Sequence, residues 1–148
     1  MAIETILVAI GQDDEDRAKR LGEATIDVAG PTGAHVVLGH VFTQREYDEV
    51  VDRLDFSAGD RPDPSAVAER HVETRTIAQS LDAAGIDYEI RGSVGDRGES
   101  IVGLAEDVGA DRVLVGGRRR SPAGKAVFGS TAQEVMLSSP CPVTFVQD

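Results

Sequence analysis

Five runs of consecutive apolar residues alternate along this chain with four stretches of helical periodicity. Ile3-Glu4-Thr5-Ile6-Leu7-Val8-Ala9-Ile10 opens it, a largely unbroken apolar run of the kind buried on both faces of a sheet. Ala18, Leu21, Thr25 and Val28 then recur at helical spacing, after acidic capping residues at Asp13 to Asp16, and Gly30-Pro31 is expected to stop that helix. His35 to Phe42 reads as a second buried strand. Val67, His71, Thr74, Ala78 and Leu81 define the stripe of another helix ending at Gly85, and Ile86 to Ile90 a third strand.

Asp96-Arg97-Gly98-Glu99 has the form of a capping box. It precedes Ile101, Leu104, Ala105 and Val108 on one helical face, with Gly109 as the stop. Arg112 to Gly116 is the fourth strand. Ser130 is expected to cap a last helix with Ala132, Val135 and Met136 inward, and Val143-Thr144-Phe145-Val146 to form the fifth strand. Strands alternating with amphipathic helices make βαβ units, hence an α/β domain with a parallel sheet covered by helices on both faces. At 148 residues the chain is expected to be one domain, residues 1–148. Residues 43–64 interrupt the rhythm with dense charge and a Ser-Ala-Gly-Asp-Arg-Pro-Asp-Pro stretch. They are expected to be a mobile acidic loop, either a flap or a disordered insertion.

Charge narrows the class of partner. The formal charge is -11, with two lysines, Lys19 and Lys125, beside thirteen arginines. A phosphate-tracking surface needs clustered positive charge, so general nucleic-acid binding is not expected. No apolar run approaches the roughly 20 residues of a membrane span, and no charged-then-apolar leader opens the sequence, so no membrane association and a cytoplasmic location are expected. The acidic, lysine-poor composition fits a halophilic cytoplasm, the alternative being an ordinary acidic protein encoded by a GC-rich genome. One cysteine, Cys141, forms neither an internal disulfide nor a zinc site and is read as buried and inert. His35 and His40 flank the second strand without a partner at metal-ligand spacing, and His71 is read as an interior histidine rather than a catalytic one.

A doubly wound sheet binds ligands beyond the carboxyl ends of its strands, where strand order reverses. The turn after the fourth strand, Gly116-Gly117-Arg118-Arg119-Arg120-Ser121-Pro122-Ala123-Gly124-Lys125, is unusual on so acidic a chain. Residues 113–147 hold four basic side chains and one acid, Glu134. A positive loop leading into a helix N-terminus suits an anionic phosphate, the alternative being arginines that pair with nearby carboxylates. Standard phosphate motifs do not account for it. Arg119 and Ala126 break a P-loop around Gly124-Lys125, Gly11-Gln12-Asp13-Asp14 is not a dinucleotide fingerprint, and Arg91-Gly92 and Gln147-Asp148 lack the aspartate and lysine of a phosphoryl-accepting receiver.

The loop resembles the signature of the universal stress protein family, Gly-x-x-Gly, nine residues, then Gly-Ser/Thr. Here Gly116, the nine residues after Arg119, and Gly129-Ser130 preserve the length. Ser139-Pro140-Cys141-Pro142-Val143 is similar to the family's closing segment, Ile6 to Ile10 to its opening strand, and Gly92-Ser93-Val94-Gly95 to its glycine-containing segment after the third strand. The resemblance implies a Rossmann-like open five-stranded parallel sheet of order 3-2-1-4-5.

It also implies a stress-response protein binding ATP or another adenine nucleotide, with Mg²⁺ accompanying a triphosphate. Gly116, Gly117, Arg118, Gly129, Ser130 and Thr131 would surround the phosphates, with charge from Arg118, Arg119 or Lys125. Ala9, Ile10, Gly11 and Val41 would border the nucleoside. Two positions depart from the family pattern: Arg119 replaces the second glycine, and Gly11 stands where nucleotide-binding members carry an aspartate. A homodimer through Val143, Thr144, Phe145 and Val146 is expected from the edge position of the fifth strand. The alternative function is a dimeric stress-response scaffold or chaperone-like protein without nucleotide. For a third class, an ATP-hydrolysing or autophosphorylating enzyme, the sequence identifies no general base and no catalytic residue.

Overall fold

The computed structural model describes residues 2–11, 15–53, 62–117 and 129–147. Five parallel strands form one sheet of order β3-β2-β1-β4-β5: β1 Thr5–Ile10, β2 His35–Phe42, β3 Tyr88–Val94, β4 Arg112–Gly117 and β5 Val143–Gln147. This is the Rossmann-like order that the family resemblance implies. Leu7 of β1 lies between Val37 and Val113, and Val8 between Leu38 and Leu114, so the central strands are apolar on both faces.

Alternation along the strands divides the core. Ile6, Val8, Val36, Leu38 and Leu114 face α1, Glu15–Thr32, and α4, Val72–Ala84, where Leu21, Ile77 and Leu81 meet them. Leu7, Val37 and Val113 face α5, Arg97–Val108, and α6, Ser130–Ser138, through Ile101, Leu104 and Val135. Fully burying each such side chain stabilises the fold by about 1.5–3 kcal/mol.

Several boundaries differ from those expected. Helix α1 runs through Gly30-Pro31 to Thr32 and stops at Gly33, whose φ of 71° is left-handed. Pro31 is exposed in the last turn, where its lost N–H affects only the helix end, and Thr32 Oγ1 donates to the Val28 carbonyl at 2.7 Å. Of its expected capping segment, Asp13 and Asp14 lie outside the described residues, and Asp16 is already helical.

The stretch expected as a mobile acidic loop contains a helix, α2, Gln44–Arg53. Tyr47 and Val51 anchor it by packing with Phe42 and Val67 in a third apolar cluster. Residues 54–61 of that stretch lie outside the described residues. The single helix expected from Val67 to Gly85 is two, α3, Pro64–Glu69, and α4, because His71 is extended at φ -72° and ψ 136°. Helix α3 turns onto β3, where the Pro64 carbonyl would lie 2.2 Å from any Cβ at Gly92. That approach accompanies a β3 lying later than expected and running through Gly92-Ser93 to Val94.

Gly85 and Gly109 end α4 and α5 in the left-handed conformation, and Asp96 caps α5 by accepting from the Glu99 N–H at 3.0 Å, as the sequence predicts. Two expectations for α6 are corrected. Its N-cap is Gly129, making Ser130 the first helical residue. Met136 is 37% exposed, outside the buried face of Ala132 and Val135. Cys141 is half-buried rather than buried, and its N–H donates to Ser139 Oγ at 3.3 Å. No helix among the described residues is long and apolar enough to cross a membrane.

Candidate functional site

The strand order reverses between β1 and β4, and beyond the carboxyl ends of these strands lies a cavity of about 580 Å³. That is within the range of small-molecule sites. Ala9, Ile10 and Gly11 reach it from β1, Val41 from β2, and Gly116 and Gly117 from β4. Gly129, Ser130 and Thr131 complete it from the start of α6. Nine of the residues singled out from sequence therefore line one cavity. The other three, Arg118, Arg119 and Lys125, lie outside the described residues.

The glycines differ in what their lack of a side chain permits. A Cβ at Gly116 would lie 2.6 Å from Arg17 Cδ, so the bare backbone lets Arg17 cross it into the cavity wall. A Cβ at Gly117 would meet the Phe145 ring. At Gly11 and Gly129 no described atom lies within 4 Å of such a Cβ. Gly129 also provides no side-chain cap to α6, and the first N–H groups of a helix have no intrahelical acceptor. Helix N–H groups that the N-cap Gly129 leaves without a side-chain acceptor suit an anionic ligand group. No described group of three or more His, Cys, Asp or Glu residues is placed to hold a metal ion.

Sequence reasoning did not single out Arg17, Glu46, Arg97, Ile101 or Val115, all of which also line the cavity. Glu46 and Arg97 matter most. Glu46 stands three residues after Thr43, and the two make a reciprocal capping box: the Thr43 N–H donates to Glu46 Oε1 at 2.8 Å, and the Glu46 N–H to Thr43 Oγ1 at 3.2 Å. Arg97 Nη2 donates to Glu46 Oε2. Burial of Glu46 opposes ionisation, but the Thr43 hydrogen bonds and the Arg97 guanidinium outweigh it and hold the carboxyl below its ordinary pKa. The signals were present in Thr43-Gln44-Arg45-Glu46 and in the cap at Asp96. They follow β2 and β3, away from the ends of β1 and β4 where the strand order reverses.

His40 lies on the sheet face opposite Val41 and is 1% exposed. Its ring stacks at 4.2 Å on Phe42 and 4.3 Å on His71, and neither ring nitrogen has a hydrogen-bond partner among the described residues. Burial first, and then the adjacent His71, lower its pKa to about 3, so the ring is neutral at physiological pH. His71 precedes α4, with Nδ1 2.7 Å from Glu73 Oε2.

A model of the universal stress protein family matches residues 2–147. The chain belongs to that family. A universal stress protein of Mycolicibacterium smegmatis is 30% identical over 120 residues, covering 80% of this chain and 92% of that protein. The structure of a universal stress protein from Archaeoglobus fulgidus is 28% identical, with a TM-score of 0.68 over 97% of this chain and 98% of that one. A second structure from that organism, in complex with dAMP, has 21% identity and a TM-score of 0.67 over 99% of both chains. Other similar structures contain cAMP or, in an Arabidopsis thaliana member, AMP. In this universal stress protein the residue lining the cavity at the end of β1 is Gly11, and among the described residues the carboxylate that lines it is Glu46, from the end of β2.

Proposed function

We propose that this protein is a stress-response protein that binds an adenine nucleotide, or a similar phosphorylated ligand, in the cavity beyond β1 and β4. One observation carries the reading: the cavity is lined by the start of α6, where the N-cap Gly129 offers no side-chain cap and has open space at its Cβ position, together with the backbone of Gly116 and Gly117 closing β4. Backbone N–H groups at a helix start favour phosphate. Ile10, Val41, Ile101 and Val115 give apolar surface for a base. The complexes of similar proteins with dAMP, cAMP and AMP support the choice of adenine. Arg118, Arg119 and Lys125 would add charge to the phosphate end, and Mg²⁺ would accompany a triphosphate.

Calorimetry with AMP, ATP and inorganic polyphosphate in molar potassium chloride tests this, on the wild type and on Gly129→Asp. Asp is a preferred N-cap, so the variant should keep its fold while repelling phosphate. Binding by the wild type and its loss in the variant is the expected result. Absence of binding by the wild type would favour the second reading, a dimeric scaffold without nucleotide. An apolar surface on α6 favours that reading, since Met136 is 37% and Leu137 87% exposed.

The same protein is proposed to pair through β5, which ends the sheet. Val143, Thr144, Phe145 and Val146 are half-buried and would continue the sheet into a second copy.

A further inference from the structure

We propose that Glu46 is the specificity-determining acceptor for the nucleoside half of the ligand, with Thr43 and Arg97 as its positioning residues. The inference rests on the nucleotide reading above. Glu46 is the one carboxylate among the described residues that line the cavity. It enters from the start of α2, directly after the end of β2 where Val41 borders the same space. The side chain is only 14% exposed, against 44% for Arg97.

An ionised carboxylate is a pure acceptor with about four lone-pair sites. The Thr43 N–H occupies one on Oε1 and the Arg97 guanidinium one on Oε2, which leaves about two for a ligand. Partial burial strengthens such bonds and makes an acceptor brought against the carboxylate costly. The cavity lining thus holds two chemically opposite kinds of group, helix and glycine N–H donors at Gly129 and Ser130, and a fixed acceptor at Glu46. The ligand that suits both carries a phosphate at one end and hydrogen-bond donors at the other. Ribose hydroxyls and the exocyclic amine of adenine both meet that description.

Titration calorimetry on the wild type and Glu46→Gln tests the assignment with three ligands. These are AMP, its 2′,3′-dideoxy analogue and the purine ribonucleotide lacking the 6-amine. Gln serves equally at the third helical position of a capping box, so α2 is retained. We expect Glu46→Gln to weaken AMP about tenfold, as loss of a charge-assisted hydrogen bond does. Wild type should lose a similar factor with whichever analogue lacks the donor that Glu46 holds, and Glu46→Gln should no longer distinguish it from AMP. Unchanged AMP affinity in Glu46→Gln, or discrimination equal to wild type, overturns the assignment and leaves nucleotide binding standing. A wild type that binds no AMP overturns both. If Glu46→Gln does not fold, Arg97→Gln replaces it: without its counter-ion Glu46 protonates more readily, so AMP should weaken more between pH 8 and pH 5 than in the wild type. Parallel pH profiles would overturn the proposal.

Discussion

The ring of Phe145 occupies the space that a side chain at Gly117 would need. A Cβ there would lie 2.2 Å from the ring Cζ and 2.3 Å from Cε2. The glycine that reads in sequence as room for a phosphate is thus, on this face of the sheet, room for an aromatic ring. Gly117→Ala should lower stability by about 1–3 kcal/mol, the usual cost of overpacking. Urea denaturation measures it, and Phe145→Leu in the same chain should recover part of the loss. A Gly117→Ala variant as stable as wild type would show that the ring shifts freely.

His40 should make the fold acid-sensitive. Its pKa is about 3 in the folded protein, lowered by burial and then by His71, against about 6.5 when unfolded. Between those values the unfolded chain binds the extra proton. The stability that the neutral ring contributes is therefore complete above pH 6.5 and is lost as pH falls toward 3. The slope approaches about 1.4 kcal/mol per pH unit. Besides His71, the charges acting on the ring are Glu46, which favours protonation, and Arg97, which opposes it. Wild type should lose stability relative to His40→Phe as pH falls from 6.5 toward 3. Curves that stay parallel would show that the ring escapes its burial on protonation.

Salt should raise the melting temperature. At a net charge of -11 the folded chain repels itself, and molar potassium chloride shortens the screening length to about 3 Å. Thermal melts from dilute buffer to molar salt should shift upward by several degrees. A melting temperature indifferent to salt removes the halophilic expectation.

Pairing through β5 makes a positional prediction. The Val113 N–H donates to the Pro142 carbonyl at 3.0 Å, so by the alternation of a parallel ladder Thr144 also faces β4, and Val143 and Phe145 present their backbone outward. Val143→Pro removes an outward donor and spares the β4 ladder, a position where an edge strand accepts proline. Light scattering in high salt should show a dimer for wild type and a monomer for the variant. A dimeric variant would place the interface elsewhere.

The strands were legible because burial on both faces requires contiguous apolar residues whatever the surroundings. His35 to Phe42 has the same bounds in sequence and structure. Gly85 and Gly109 were equally readable, since a left-handed residue after a helix is cheap for glycine alone. Nine cavity residues followed from the strand ends and glycine spacing together with the family resemblance, Val41 from the resemblance alone. Helix α2 was legible only at its capping box, Thr43 and Glu46. Its ten residues are mostly charged, and the two that bury, Tyr47 and Val51, are apolar anchors only once Phe42 and Val67 are in place beneath them.

Local pattern by itself determined that five segments are strands, that α4 and α5 stop at Gly85 and Gly109, and that the sheet is parallel and covered on both sides. These depend on the chain's own periodicity and on backbone sterics. Tertiary structure decided the rest. His71 breaks a continuous helical stripe because α3 packs on β3 against Gly92, whereas α4 packs against α1. Glu46 and Arg97, 51 residues apart, become a pair because the ends of β2 and β3 are neighbours in the sheet. Periodicity records which side of an element is buried, but not which distant element covers it. The charged end of the cavity is made by that second relation.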